Sequence, residues 1–230
     1  GDNYELPNMT AYNETCAAIS MVYLFERMFL LHGESKYIDC MERTLYNGVI
    51  SGMSMDGGRF FYPNPLSSDG KYKFNADGNT TRQPWFGCAC CPSNLCRFIP
   101  SVPGYLYGVK DNNIYVNLFA GNTSTIKVNG KDVVLEETTE YPWNGDVKIA
   151  VKKSGVKNAN LLVRIPGWVR NQVVPSDLYK YSDAEKPAYS VTVNGKAVEA
   201  DLDANKGYLP VKNIKKGDVI RIHFDMPVRT

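Results

Sequence analysis

Apolar residues recur at helical intervals up to about Gly104, and they alternate along the remainder of the chain. Between Thr15 and Leu31, Ile19, Val22, Tyr23, Phe25, Met28 and Phe29 fall near helical spacing within a broadly apolar segment. That pattern predicts a well-buried helix. His32-Gly33 ends it, since glycine tolerates the positive φ of a helix C-terminus. A second helix is expected over Lys36 to about Gly48, with Tyr37, Met41, Thr44 and Leu45 on one side. Ser51 to Gly58 reads as a loop, and Arg59 to Tyr62 as a short extended piece stopped by Pro63 and Pro65. Lys71 to Thr81 is polar and reads as a surface loop. A third helix is expected after Pro92 or Ser93, through Leu95, Phe98 and Ile99, ending before Pro103.

Beyond Gly104 the period changes to two. Ile114 to Phe119, Ser124 to Val128, Val133 to Glu137, Val147 to Val151, Leu161 to Ile165, Tyr189 to Val193, Val198 to Ala200 and Val219 to Phe224 are short alternating runs rich in β-branched residues. Asn112-Asn113, Asn129-Gly130, Asn144-Gly145 and Asn194-Gly195 separate them. Val128-Asn129-Gly130-Lys131 and Val193-Asn194-Gly195-Lys196 read as type I′ hairpins, because Asn and Gly accept positive φ. Many short strands with frequent turns predict an antiparallel β-sandwich. The fold class expected is therefore α+β, with a helical domain over residues 1–104 and a β-sandwich domain over 105–230.

Composition narrows the function classes. The 230 residues are 43% apolar and 22% charged, which excludes disorder and a disulfide-dense miniprotein. Net charge is +2, divided as −2 over residues 1–104 (8 basic, 10 acidic) and +4 after them (18 basic, 14 acidic). Neither half carries a polyanion footprint, so no nucleic-acid partner is expected. The longest apolar stretch, Ala17 to Leu31, is interrupted by Glu26 and Arg27 and is shorter than the ~20 residues of a bilayer span, so no membrane partner is expected. No basic segment followed by an apolar run opens the sequence given. The compartment stays open between periplasmic or secreted and cytoplasmic.

Cysteine is the uneven feature. All six lie between Cys16 and Cys96, and the last 134 residues carry none. Cys88, Cys90 and Cys91 form a C-x-C-C cluster before Pro92, and Glu14-Thr15-Cys16 lies upstream. Zinc takes thiolates and accepts a carboxylate at about four ligands, so Glu14, Cys16 and two of the three clustered cysteines suit one tetrahedral site. Glu14 and Cys16 would diverge within a regular helix, so a shared ion requires a helix start or an extended stretch. Adjacent Cys90 and Cys91 require a turn before Pro92. Two other readings stay open: thiols buried as small hydrophobes, and a disulfide, although Cys90–Cys91 would be strained. The spacing lacks the paired knuckles of a zinc ribbon. Cys40 and Cys96 read as core residues. His32 suits a helix end and His223 an outer strand face. N-x-S/T triplets at Asn8, Asn13, Asn79 and Asn122 are expected by chance. Core packing is the expected use of Trp85, Trp143 and Trp168.

Several segments together resemble one family. They are Tyr4-Glu5-Leu6-Pro7-Asn8 through Tyr12-Asn13-Glu14-Thr15-Cys16-Ala17-Ala18, then Thr44-Leu45-Tyr46-Asn47-Gly48, Arg59-Phe60-Phe61-Tyr62 and Arg82-Gln83-Pro84-Trp85-Phe86-Gly87-Cys88-Ala89-Cys90-Cys91-Pro92. Arg164-Ile165-Pro166-Gly167-Trp168 and Met226-Pro227-Val228-Arg229 extend the likeness over essentially the whole chain. The family is glycoside hydrolase family 127, zinc- and cysteine-dependent β-L-arabinofuranosidases once grouped as DUF1680, with family 146 as a close relative.

The resemblance implies an (α/α)6 barrel followed by β-sandwich domains, with this chain carrying the C-terminal barrel helices and one sandwich. It implies zinc on Glu14, Cys16, Cys90 and Cys91, and Cys90 as the nucleophile that forms a thioglycosyl intermediate. Cys88 maps beside the site and outside the ligand set. The substrate implied is an L-arabinofuranoside-type plant glycan. The family's acid/base glutamate and its substrate-binding histidines map ahead of Gly1, so the chain reads as a fragment with little turnover whose partner is the N-terminal barrel portion of the same parent chain. The alternative is a structural or carbohydrate-binding β-sandwich module with a structural zinc site.

Overall fold

The computed structural model describes residues 5–230; Tyr4, the first residue of the Tyr-x-Leu-Pro-Asn motif, lies outside the described residues. The chain combines helices and two β-sheets and divides into two compact units. One holds the chain up to Arg27 together with Cys40–Pro103, and the other holds Met28–Asp39 with Gly104–Thr230.

In the first unit, helix α1 (Thr15–His32) contributes its opening turns, α2 (Ser35–Thr44) its closing ones, and α3 (Cys90–Phe98) lies whole. Ile19 and Val22 of α1 are fully buried, but Met21, Tyr23 and Leu24 are exposed, so the helix is not the well-buried one its apolar pattern predicts. By length and composition α1 is apolar enough to cross a membrane, which the charges at Glu26 and Arg27 were expected to prevent. The second helix stops at Thr44, short of the expected Gly48. A π-helical turn (Leu45–Val49) and a 3₁₀ turn (Ile50–Gly52) follow. Gly48 lies against Ala18 there: a Cβ on it would stand 2.9 Å from the Ala18 Cβ. The third helix starts at Cys90, three residues before the earliest expected position. Proline is tolerated in a first helical turn, whose N–H groups have no intrahelical acceptor, so Pro92 does not stop it. Its buried face is Cys91, Pro92, Leu95 and Phe98. Cys96 falls off that face and is exposed, against the expected burial, and Cys40 is half-buried.

The second unit holds ten strands. β1 (Tyr107–Lys110), β2 (Asn113–Val116), β6 (Asn160–Arg164) and β9 (Tyr208–Val211) form a four-stranded sheet in the order β1-β2-β6-β9. β3 (Asn122–Val128), β4 (Lys131–Thr139), β5 (Asp146–Ser154), β10 (Val219–Phe224), β7 (Tyr189–Val193) and β8 (Lys196–Ala197) form a six-stranded sheet in that spatial order. Pairing is antiparallel except for β2–β6, which runs parallel against the all-antiparallel expectation. β1 and β9 were not foreseen, because Gly108 and Pro210 disguise them. Gly108 lets the Phe29 ring approach to 2.9 Å of where a Cβ would sit. Pro210 is tolerated because β9 is an edge strand. The expected strand over Val198 to Ala200 is replaced by the two-residue β8, with no strand at those positions. Both Asn-Gly hairpins form as expected, with φ of 48° and 76° at Asn129-Gly130 and 52° and 80° at Asn194-Gly195.

A buried polar network crosses this unit. Arg164 is fully buried; its Nε donates to the Asn117 carbonyl at 2.6 Å and its guanidinium meets Asp39 at 2.7 Å. Tyr208 donates to Asn117 at 2.8 Å, and the Phe29 and Tyr115 rings meet edge to face.

Candidate metal centre

Two short stretches bring the cluster together within the first unit. Glu14 pairs with Pro63 in a β-bridge, and its carbonyl accepts the first intrahelical bond of α1, from Ala18. The Thr15 N–H donates to the Tyr62 carbonyl at 2.9 Å. The buried Thr15 hydroxyl donates to the Phe61 carbonyl and accepts from Asn64. Gly52 leaves the room for Thr15, whose hydroxyl lies 2.8 Å from where a Cβ would project. These bonds hold the start of α1 against residues 59–63, which carry isolated β-bridges at Phe60 and Pro63 and no strand. Glu14 and Cys16 thus occupy a helix start, as a shared ion requires.

Cys90 and Cys91 occupy the first two positions of α3, after Ala89. This corrects the expected turn. Side chains in a helix lean toward its N-terminus, so two neighbours in the first turn can reach one point beyond the helix end. There the free N–H groups and the helix dipole favour negative charge.

One ligand atom from each of Glu14, Cys16, Cys90 and Cys91 lies within 4.8 Å of all the others. The Cys90 sulfur is 3.8 Å from that of Cys16 and 3.9 Å from that of Cys91. The Glu14 Oε1 is 3.9 Å from the Cys90 sulfur and 3.7 Å from the Cys91 sulfur. A tetrahedral zinc ion with sulfur at about 2.3 Å and oxygen at about 2.1 Å sets edges of about 3.6–3.8 Å. The donor set and its spacing fit that ion. All six cysteines are free, so the disulfide reading does not describe this state.

The three thiols are not equivalent. Burial pushes the Cys91 thiol well above the ordinary range, and its side chain is fully buried. Burial also raises Cys16. Burial opposes ionisation of Cys90 too, but hydrogen bonds from Tyr62, Cys16 and Cys91 outweigh it and hold this thiol below its usual value.

The Tyr62 hydroxyl is 2.6 Å from the Cys90 sulfur and 3.8 Å from that of Cys88. Its own ionisation is pushed up by the Cys90 contact. Phe86 packs edge to face on its ring, and Asn75 accepts its backbone N–H at 2.8 Å. Sequence reasoning did not place Tyr62 at the site. Its only signals were its position before Pro63 and its place in the Arg-Phe-Phe-Tyr segment.

The remaining candidates sit elsewhere. His32 ends α1 and Gly33 follows with φ +64°, as expected. His223 is half-exposed on the outer face of β10, between Asp146 at 2.7 Å and Asp225 at 3.3 Å. Trp85 and Trp143 are 60% and 89% exposed, which corrects their expected core role. Trp143 lies at the mouth of an open groove of about 620 Å³ with Glu185, His223 and Met226.

A cysteine-rich centre built at two helix starts, in a chain that also carries two sheets, narrows the class of protein. Comparison with known proteins fixes it as a glycoside hydrolase family. The family model for the GH127 catalytic domain of β-L-arabinofuranosidases matches residues 1–104, and that for the GH127 middle domain matches residues 113–226. The chain is 32% identical over 237 residues to a non-reducing end β-L-arabinofuranosidase of Bifidobacterium longum subsp. longum, covering 99% of this chain and 33% of that protein. A solved GH127 β-arabinofuranosidase structure is 57% identical with a TM-score of 0.92, over 100% of this chain and 34% of that one. A GH127 β-L-arabinofuranosidase structure from Geobacillus stearothermophilus T6 is 38% identical with a TM-score of 0.80, over 97% and 33%. The chain belongs to glycoside hydrolase family 127, and it spans about a third of the length of these relatives.

Proposed function

We propose that the chain carries the nucleophile and metal half-site of a retaining β-L-arabinofuranosidase acting on plant-type glycans. Residues 1–104 then form the C-terminal helical part of an (α/α)6 barrel, and residues 105–230 a β-sandwich. The observation that carries this reading is the convergence of Glu14, Cys16, Cys90 and Cys91 at zinc-like spacing. Bound zinc supplies positive charge that keeps the sulfurs ionised at neutral pH. Cys90 attacks the anomeric carbon, forming a C–S bond while the glycosidic C–O bond breaks. Water then displaces the sulfur, and two inversions give net retention, with a thiolate in the usual carboxylate role. Tyr62 donates to the Cys90 sulfur and orients it. Glu14 is committed to the metal in this scheme, so the acid/base glutamate that the resemblance maps ahead of Gly1 would protonate the leaving oxygen and later take the proton of the attacking water. The isolated chain is therefore expected to turn over poorly.

The test is metal content. The reduced chain reconstituted with zinc should hold close to one ion, and Cys16→Ser and Cys91→Ser should each release it. No zinc uptake under reducing conditions would overturn the metal reading. Robust arabinose release from a β-linked arabinofuranoside by this chain alone would overturn the expected inactivity.

A further inference from the structure

Cys88 is the one thiol of the C-x-C-C cluster that the ligand set leaves unused. It is exposed, whereas Cys91 is buried and Cys16 and Cys90 are half-buried. The same Tyr62 hydroxyl lies 2.6 Å from the Cys90 sulfur and 3.8 Å from the Cys88 sulfur, so the two sulfurs can be no further apart than those distances together. Ala89 between them is bent, with φ −90° and ψ 35°. Two fully extended steps would span about 7 Å, and the bend draws the Cα atoms of residues 88 and 90 closer, toward the separation a disulfide bridges.

We infer that Cys88 and Cys90 form an oxidant-responsive thiol pair, in which Cys88 resolves an oxidised Cys90. The inference rests on the proposed reading of Cys90 as the attacking sulfur of the cluster, and on the Tyr62 hydroxyl that touches both sulfurs. Hydrogen peroxide is the oxidant class. The Cys90 thiolate attacks peroxide and breaks its O–O bond, leaving a sulfenic acid and hydroxide. Cys88 gives up its proton and attacks the Cys90 sulfur, and the S–O bond breaks as the S–S bond forms. Overall two thiols and one peroxide give a disulfide and two waters, the thiols losing the two electrons the peroxide gains. Cys16 lies close to Cys90, but in the proposed ligand set Cys16 and Cys91 serve only to hold the metal, while Cys88 lies outside that set and faces solvent. The disulfide removes one ligand and the nucleophile together, and a dithiol restores both. Without Cys88, the sulfenic acid proceeds to the irreversible sulfinic acid.

The experiment treats the zinc-loaded and metal-free 230-residue chains with hydrogen peroxide and maps the cysteines by peptide mass spectrometry. The expected result is a Cys88–Cys90 cross-link, zinc release, and recovery of zinc binding after dithiothreitol. Cys88→Ser should lose several-fold of that recovery and accumulate sulfinic acid at Cys90, while Cys96→Ser behaves as wild type. In the zinc-loaded chain a Cys16–Cys90 or Cys90–Cys91 cross-link, or in either chain equal irreversible oxidation of wild type and Cys88→Ser, would overturn the inference. If the reduced chain takes up no zinc, the metal reading fails separately, and the yield of Cys90 sulfinic acid in wild type against Cys88→Ser still decides this one.

Discussion

Replacing Tyr62 with phenylalanine removes one hydroxyl and keeps the ring that Phe86 packs against. In wild type that hydroxyl donates to the Cys90 sulfur at 2.6 Å, and it is the largest of the contacts that lower this thiol against the cost of burial. Hydrogen bonds to charged groups contribute about 1.5–3 kcal/mol, so their loss lowers the thiolate population near pH 7 by roughly ten- to a hundredfold. The remaining thiolate is more basic and more nucleophilic, and a Brønsted slope of about 0.4–0.5 recovers nearly half of the loss on a logarithmic scale. The net expectation is a roughly four- to fifteenfold slower alkylation of Cys90 at pH 7. The assay is iodoacetamide modification of the reduced, chelated chain, followed at the Cys90 peptide across a pH series. At high pH, where both proteins are ionised, the order should invert and the variant should react faster. Mere loosening of the site would speed alkylation at every pH. An unchanged or faster rate at pH 7 would refute the argument that Tyr62 stabilises the Cys90 thiolate.

Two predictions concern the second unit. Glu137 is buried beside the Tyr107 hydroxyl and the Ala120 N–H, and burial raises its carboxyl to about 7 despite those donors. The native state then holds a proton that the unfolded chain releases between about pH 4.5 and 7, so stability falls as pH rises through that window. Glu137→Gln should remove this dependence and exceed wild type by up to about 3 kcal/mol at pH 8 while matching it near pH 4, measured by urea unfolding. Asp39→Asn strips the counter-charge from the fully buried Arg164, a loss of about 3–5 kcal/mol. Calorimetry should show a melting point lower by roughly 6–20 °C, against a change of 2 °C or so for Glu136→Gln at the exposed Lys152 pair.

The parts of this chain legible in its sequence were those set by local chemistry. Asn129-Gly130 and Asn194-Gly195 announce their hairpins because few other residue pairs accept two positive φ values in succession. Glu14, Cys16, Cys90 and Cys91 were legible as candidates because three thiols within four residues are rarely a packing choice. What was hidden depends on neighbours distant in sequence. Pro210 looks like a strand breaker until β9 is known to be an edge. Gly108 looks like a loop residue until Phe29 occupies the space above it. Trp143 looks like core by its apolar area, yet it caps a hairpin whose interior is already filled by Tyr141, Phe119 and Phe224. Tyr62 was hidden for the same reason: only the fold shows that its hydroxyl reaches a sulfur 28 positions away.

On the proposed reading, the geometry orders three neighbouring sulfurs by how well each suits attack. A nucleophile must be ionised and reachable, whereas a sulfur that only holds a metal needs neither solvent access nor a low intrinsic pKa, because the ion itself drives deprotonation. Cys91 is fully buried on the α3 core face and strongly resists ionisation on its own. Cys16 is raised by its burial. Cys90 is half-exposed at the first position of α3 and takes a hydrogen bond from Tyr62, and it is the thiol of the three whose pKa is depressed. Its sulfur lies 3.8 Å from that of Cys16 and 3.9 Å from that of Cys91. Losing Cys90 to a sugar carbon would leave Glu14, Cys16 and Cys91 as three remaining donors. Three protein ligands are what open catalytic zinc sites retain, and four what closed structural ones hold. On that reading Glu14, Cys16 and Cys91 would hold the ion and Cys90 would supply the reacting sulfur, and the ordering of these three thiols provides the asymmetry such a division demands.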